Sequence, residues 1–161
     1  MRDVAFRVYD KRLKVMRKDV VDPEDAPGNN IIIQFTDGEW SLCTKTGYGY
    51  DTPCNKKDAI LMQYSGLNDK NGKKIFEGDI VRAPYYYYMP DNAKRTLGIV
   101  KFGTWKQDGP GGEYNPEECF GWFVKMTEYE YNFHEEVSIL EMLKELEVIG
   151  NIYENPELVN K

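Results

Sequence analysis

The sequence predicts a mainly β, α+β protein, with an N-terminal hairpin layer from about residue 4 to 50 packed on a small barrel from about 60 to 153, within one domain of residues 1–161. Three observations carry this. Short apolar runs of period two recur along the chain, as half-buried strands require. Glycine, asparagine, aspartate and proline separate them at turn-like intervals. Helical spacing is confined to Val137, Leu140, Leu143 and Leu146, which predicts one short helix, capped by Ser138 and ending near Glu145, before the last strand.

Taken in order, Ala5–Tyr9 sets Phe6 and Val8 on one face and Arg7 and Tyr9 on the other, and Asp10–Lys14 turns the chain back toward Val15 and Met16 as a hairpin. Asp22–Asn30 concentrates turn formers and reads as a mobile surface loop. Ile31–Thr36 and Glu39–Cys43 flank Asp37-Gly38, a pair that tolerates the positive φ of a two-residue type I′ turn, so a second hairpin is expected there. From Thr44 to Asn55 the glycines, tyrosines and Pro53 break the alternation; the stretch reads as mostly irregular, with Thr46–Tyr50 as an edge-strand candidate.

Ile60–Tyr64 is the next strand, and Asp69–Gly72 fits a turn with Gly72 left-handed before Ile75-Phe76. Gly78-Asp79 redirects the chain into Ile80–Arg82, a strand that Pro84 ends. The residues Glu77-Gly-Asp-Ile-Val81 resemble the strand entry of SH3-like barrels, a likeness of fold that carries no function. After an aromatic loop from Tyr85 to Asn92, strands are expected at Gly98–Phe102, Gly121–Met126 and Val148–Tyr153, with a glycine-rich loop at Lys106–Glu113, a connection at Glu128–Asn132 and a terminal turn at Pro156–Val159. Gly66, Gly72, Gly78 and Gly150 mark tight turns or close approach, while Tyr64, Leu67, Ile75, Val81, Ile149 and Ile152 form the expected core face.

The chain has 161 residues, 41% of them hydrophobic and 30% charged, enough for a core without metals or disulfides. No apolar run approaches the ~18 residues of a membrane span, and the alternating, acid-bearing N-terminus is unlike a secretory signal. A soluble, cytoplasmic protein is therefore expected, with Cys43, Cys54 and Cys119 as free thiols. A net charge of −6 opposes non-specific attraction to a polyanion, which only a local basic patch would overcome.

Six pieces of the sequence together resemble the YopX family of phage and prophage proteins. They are Phe6-Arg7 with Tyr9-Asp10, Met62-Gln-Tyr64, Gly66-Leu67 with Asp69-Lys-Asn-Gly72, Glu77-Gly-Asp-Ile-Val81, Gly98-Ile-Val100, and Glu147-Val-Ile-Gly-Asn-Ile-Tyr-Glu-Asn-Pro156. Their order covers nearly the whole chain. The resemblance implies a homo-oligomeric accessory protein of unassigned activity, of phage or prophage origin in a bacterial host, with no catalytic residues to carry over. Asp22–Asn30, Tyr85–Lys94 and Lys106–Glu118 fall outside the family pattern and are where a specialised role would sit.

For chemistry, the sole histidine, His134, lies in an acidic run where an extended backbone sets Glu128, Glu130 and His134 on one side, a weak candidate for a divalent ion or an acid–base site; such a run is more often a solvated face. The cysteines lack the paired spacing of structural zinc, and nothing in the sequence sets a histidine beside any of them to activate it. No phosphate-binding glycine loop and no serine elbow occurs, so nucleotide and acyl-transfer chemistries lose their usual signals and no cofactor is expected; a metal-dependent enzyme with an acidic site around His134 is the second alternative to a non-enzymatic role. Recognition is the better reading. Tyr85, Tyr86, Tyr87, Tyr88, Lys94, Arg95, Lys101, Trp105 and Lys106 lie on consecutive elements and combine rings with cations. They suit a self-association interface or a protein partner, since tyrosine buries its ring while its hydroxyl stays wet. Nucleic acid, stacked on a small barrel, is the alternative that the net charge disfavours.

Overall fold

In a computed structural model of the chain, the described residues are 5–17, 31–36, 39–46, 49–55, 57–83, 96–108, 116–127 and 136–160. They form a mostly β protein that falls into two compact units, Met1–Tyr64 and Ser65–Lys161. The strands are β1 (Phe6–Asp10), β2 (Val15–Arg17), β3 (Ile31–Thr36), β4 (Glu39–Thr46), β5 (Gly49–Asn55), β6 (Ala59–Asn68), β7 (Lys74–Phe76), β8 (Asp79–Ala83), β9 (Thr96–Asp108), β10 (Pro116–Met126), β11 (Glu136–Ser138) and β12 (Glu147–Asn151). One helical turn, α1, spans Ile139–Met142, and a 3-10 turn spans Pro156–Leu158.

In the first unit, β1 pairs antiparallel with both β2 and β6, Tyr9 standing opposite Met16 and Ile60. Val8, Met16, Ala59 and Met62 are buried there. Arg7, which points to the opposite side of β1 from Val8 and pairs with Met62, is buried as well, and its Nε donates to the Met62 sulfur at 3.4 Å. Asp10 closes the β1–β2 turn by accepting the N–H groups of Arg12 (3.0 Å) and Leu13 (3.1 Å). The expected hairpin of β3 and β4 is present, with Thr36 opposite Glu39; Asp37 and Gly38 lie outside the described residues.

Of the stretch from Thr44 to Asn55, expected to be mostly irregular, the described residues are strand: β4 continues to Thr46 and pairs with β5. Pro53 is accommodated because β5 is the last strand in the order β3-β4-β5 and the register shifts between Leu42 and Thr44. A missing N–H costs least at an edge and beside a bulge.

In the second unit β6 ends beside β7, and β11-β10-β9-β8-β12 form an antiparallel sheet. Its core is Ile75, Val81, Ala83, Val100, Val124, Ile139, Leu146 and Val148, with Leu67 and Trp122 packed against it. Ile149 and Ile152, expected in the core, are only partly buried, because the register shifts between Val148 and Gly150 and the chain turns after Asn151. Strands β9 and β10 are longer than expected: β9 runs to Asp108 and takes in Lys106, where the sequence predicts the start of a loop. Of the segment expected to be helical, residues 138–145, a single turn is α-helix; Ser138 makes no side-chain cap and ends β11, where it pairs with Phe123.

The glycine turns behave as their sequence implies. Gly72 and Gly78 have φ of 80° and 77°. Gly78 is also enclosed: its N–H donates to Val100 O (2.9 Å), its carbonyl accepts Ile152 N–H (3.0 Å), and a Cβ would stand 3.3 Å from the Tyr153 ring. Gly78→Ala is expected to cost about 1–2 kcal/mol from the left-handed backbone alone, read as a lowered urea midpoint with an unchanged slope.

Candidate functional site

Several residues of the family-like motifs are accounted for by the architecture. Asp69, buried at the start of the β6–β7 turn, accepts Asn71 N–H (2.8 Å) and Lys73 N–H (2.9 Å) on one oxygen and Val148 N–H (2.9 Å) on the other. One carboxylate thus shapes its own turn and fastens β12 to it, and Lys70 N–H adds a bond to Leu146 O at 3.0 Å. Burial opposes the charge of Asp69, yet the three N–H donors and the Lys73 ammonium hold its carboxyl below the ordinary value. Asp79, also buried, accepts Phe76 N–H at 2.8 Å. Asn151 accepts the N–H groups of Tyr153 (3.1 Å) and Glu154 (2.9 Å) and donates to the Glu154 carboxylate (2.6 Å). These carboxylates and amides serve the backbone.

The surface that stands apart is one face of the β9–β10 hairpin. Strand β9 changes the side it buries along its length: Val100 is in the core, whereas farther out Trp105 is buried and Phe102 and Thr104 are exposed. The change falls at Gly103, paired with Gly121, with φ of 149° and 151°. On one side Trp105 and Phe123 stack with ring centroids 6.1 Å apart and planes 18° from parallel. On the other, Phe102 (44% exposed) meets Phe120 (74% exposed) edge-on at 5.1 Å and leans on Trp122 at 4.9 Å. Trp122 packs in turn against the core, so the row runs from anchored to exposed ring. Contiguous exposed rings are a feature that many binding surfaces share.

Of the residues singled out from sequence, Lys101 and Lys106 are exposed, and their odd spacing along β9 sets them on alternate sides of the ladder. Trp105, at 6% exposure, is packed on Phe123. The Lys106 backbone N–H donates to the Glu136 carboxylate at 3.1 Å. Tyr85, Tyr86, Tyr87, Tyr88, Lys94 and Arg95 lie outside the described residues, as do Glu128, Glu130 and His134 and the loop 22–30. Among the described residues no three His, Cys, Asp or Glu side chains gather as a metal-ligand set, and no helix is long and apolar enough to cross a membrane. Cys43 is buried and Cys119 partly so, neither in a disulfide.

Sequence reasoning passed over Phe102 and Phe120. The signal was there: each long strand carries Phe-Gly, in Lys101-Phe-Gly-Thr-Trp105 and Cys119-Phe-Gly-Trp-Phe123, and pairing glycine with glycine brings those rings together.

Fold and surface together define a small antiparallel-β protein. The chain matches the family model described as "YopX protein" over residues 5–160, and it belongs to the YopX family. Among solved structures, protein yopX from Bacillus subtilis superposes with a TM-score of 0.59 at 22% identity, covering 99% of this chain and 100% of that one. Protein EF1440 from Enterococcus faecalis gives 0.52 at 25% identity, with the same coverage. Comparison with curated proteins gives no match.

Proposed function

We propose that this chain is a non-enzymatic accessory protein of phage or prophage origin that works in the bacterial cytoplasm by binding macromolecules, and that it acts as a homo-oligomer. The observation that carries a recognition role is the row Phe102, Phe120 and Trp122, whose outer rings face solvent on a hairpin stiffened from behind by Trp105 and Phe123. The assignment of Asp10, Asp69 and Asp79 to backbone hydrogen bonds supports a structural use of these acids. The second unit is read as an SH3-like barrel. Its antiparallel sheet, the short β7 and the Asp69 clasp on β12 support that reading.

The tyrosines Tyr85–Tyr88 belong to the same proposal as a second contact. Light scattering tests it with two variants, Phe102→Ser/Phe120→Ser and Tyr86→Ser/Tyr87→Ser. The wild-type protein is expected to run at a multiple of 18.8 kDa, and at least one pair of substitutions to lower that mass. A wild-type monomer removes the oligomer from the reading, and an oligomer whose mass neither pair changes removes both aromatic surfaces as its interface.

A further inference from the structure

A chain of net charge −6 carries one corner of the opposite sign, in its first unit. The β1–β2 turn presents Lys11, Arg12 and Lys14, all exposed, and Arg17 follows on β2 with its side chain 35% exposed. Lys57, more than forty residues away in sequence, joins them because the two turns are stitched together. Lys11 N–H donates to Asp58 O at 2.8 Å, and the Lys11 ammonium reaches Lys57 O at 3.1 Å. Among the described residues, five cations therefore share a corner with two carboxylates, Asp10 and Asp58. Asp10 is buried and already committed: it accepts Arg12 and Leu13 N–H groups and faces the Arg17 guanidinium at 3.4 Å.

Like charges are costly to hold together, and a solvated run would let them spread. Here a buried aspartate and a pair of backbone-directed bonds fix them on two tight turns. We infer that the corner of Lys11, Arg12, Lys14, Arg17 and Lys57 is a docking surface for the phosphate backbone of a nucleic acid. Charge complementarity commits it to that partner. Duplex DNA carries about one negative charge per 1.7 Å of axis, and each phosphate neutralised releases counterions. A lipid surface fits less well, because membrane docking grows with buried apolar area and only Leu13 and Val15 are exposed here among the cations. The overall negative charge then confines contact to this one corner and makes binding weak and steeply dependent on salt.

The test is fluorescence anisotropy of labelled duplex and single-stranded DNA with the full chain, across a salt series. With all five cations engaged, the log–log slope on duplex is expected at about −4.5, a loss of roughly 500-fold in affinity between 50 and 200 mM salt. Lys11→Gln/Lys14→Gln/Lys57→Gln is expected to cut that to about 12-fold, which corresponds to two remaining contacts. Absence of binding at low salt, a slope the triple variant leaves unchanged, or association with phosphatidylserine vesicles in place of DNA would each overturn the inference. If circular dichroism shows the triple variant unfolded, the wild-type slope and the Lys14→Gln single variant decide it. The proposal goes beyond the oligomer reading and fails separately from it, since these substitutions leave the light-scattering mass unchanged if the aromatic surfaces form the interface.

Discussion

Replacing Asp69 with alanine is expected to destabilise the protein by roughly 2–3 kcal/mol, the cost of leaving the buried Val148 N–H without an acceptor and of losing the two bonds that shape the turn. Three donors lose their partner at once: Asn71 and Lys73 within the turn, and Val148 on β12. For a unit of this size that lowers the melting temperature by about 10 °C or more, measurable by calorimetry. Asp69→Asn separates geometry from charge. Its single side-chain oxygen still serves the Asn71 and Lys73 donors, while its amide meets the Val148 N–H donor to donor, so an intermediate loss is expected. Hydrogen exchange localises the effect, with Val148 N–H losing protection in both variants and Asn71 N–H mainly in the alanine.

The same carboxylate sets the acid limb of stability. Its folded pKa lies below the ordinary 3.8, so its contribution is complete above that value and is lost as pH falls through the folded one. Asp10 behaves alike: burial opposes its charge, but Leu13 and Arg12 N–H groups and the Arg17 and Arg12 guanidinium groups outweigh it. Glu77 has the opposite sign. Burial raises its carboxyl above the ordinary 4.5, so its charge costs stability at neutral pH and protonation relieves that cost. Stability should rise slightly as acidification protonates Glu77, then fall steeply below pH 3.8, and Asp69→Asn should flatten that fall. An unfolding profile with no acid limb below that pH would contradict the role given to both aspartates.

These polar clasps also show where the sequence was readable. Period-two alternation placed β1, β2, β3, β4, β7 and β8 close to where they form, because each has a short apolar face bounded by turn residues. The glycine turns were legible for the same local reason, as Gly72 and Gly78 show. What local pattern could not show was pairing. Strand β5 looked irregular until β4 was set beside it, and Pro53 is tolerated only as a consequence of the edge and the bulge. The segment Val137–Leu146 has helical spacing, yet Val137 opposite Val124 draws its first residues into β11 and leaves one helical turn. In the site, Trp105 and Phe102 are equally aromatic in sequence, and only the switch of buried side at Gly103 decides which ring meets solvent. The basic corner needed a long-range contact too, since nothing local brings Lys57 to Lys11.

That hairpin is seated by Gly98, and Gly98→Val is expected to be as damaging as the loss of Asp69, at about 3 kcal/mol or more. Gly98 stands opposite Val81 on β8 and Met126 on β10, in the middle of the sheet. A Cβ there runs into the Val124 side chain and stands 3.2 Å from Lys125 O and 3.3 Å from the Met126 sulfur. Val124 is fully buried and cannot swing away, and the Lys125 carbonyl belongs to the strand backbone, so the added carbon must push β9 and β10 apart. Gly98→Ala should show a smaller loss of about 1–3 kcal/mol, the usual range for an overfilled core. Because the first obstacle is the Val124 side chain, Val124→Ala should make room for it. The double variant Gly98→Ala/Val124→Ala is therefore expected to be more stable than the sum of the two single losses predicts, by about 0.5 kcal/mol or more in a double-mutant cycle from urea unfolding. Strict additivity would mean that the two residues do not meet, and the seating of the aromatic hairpin on this glycine would have to be abandoned.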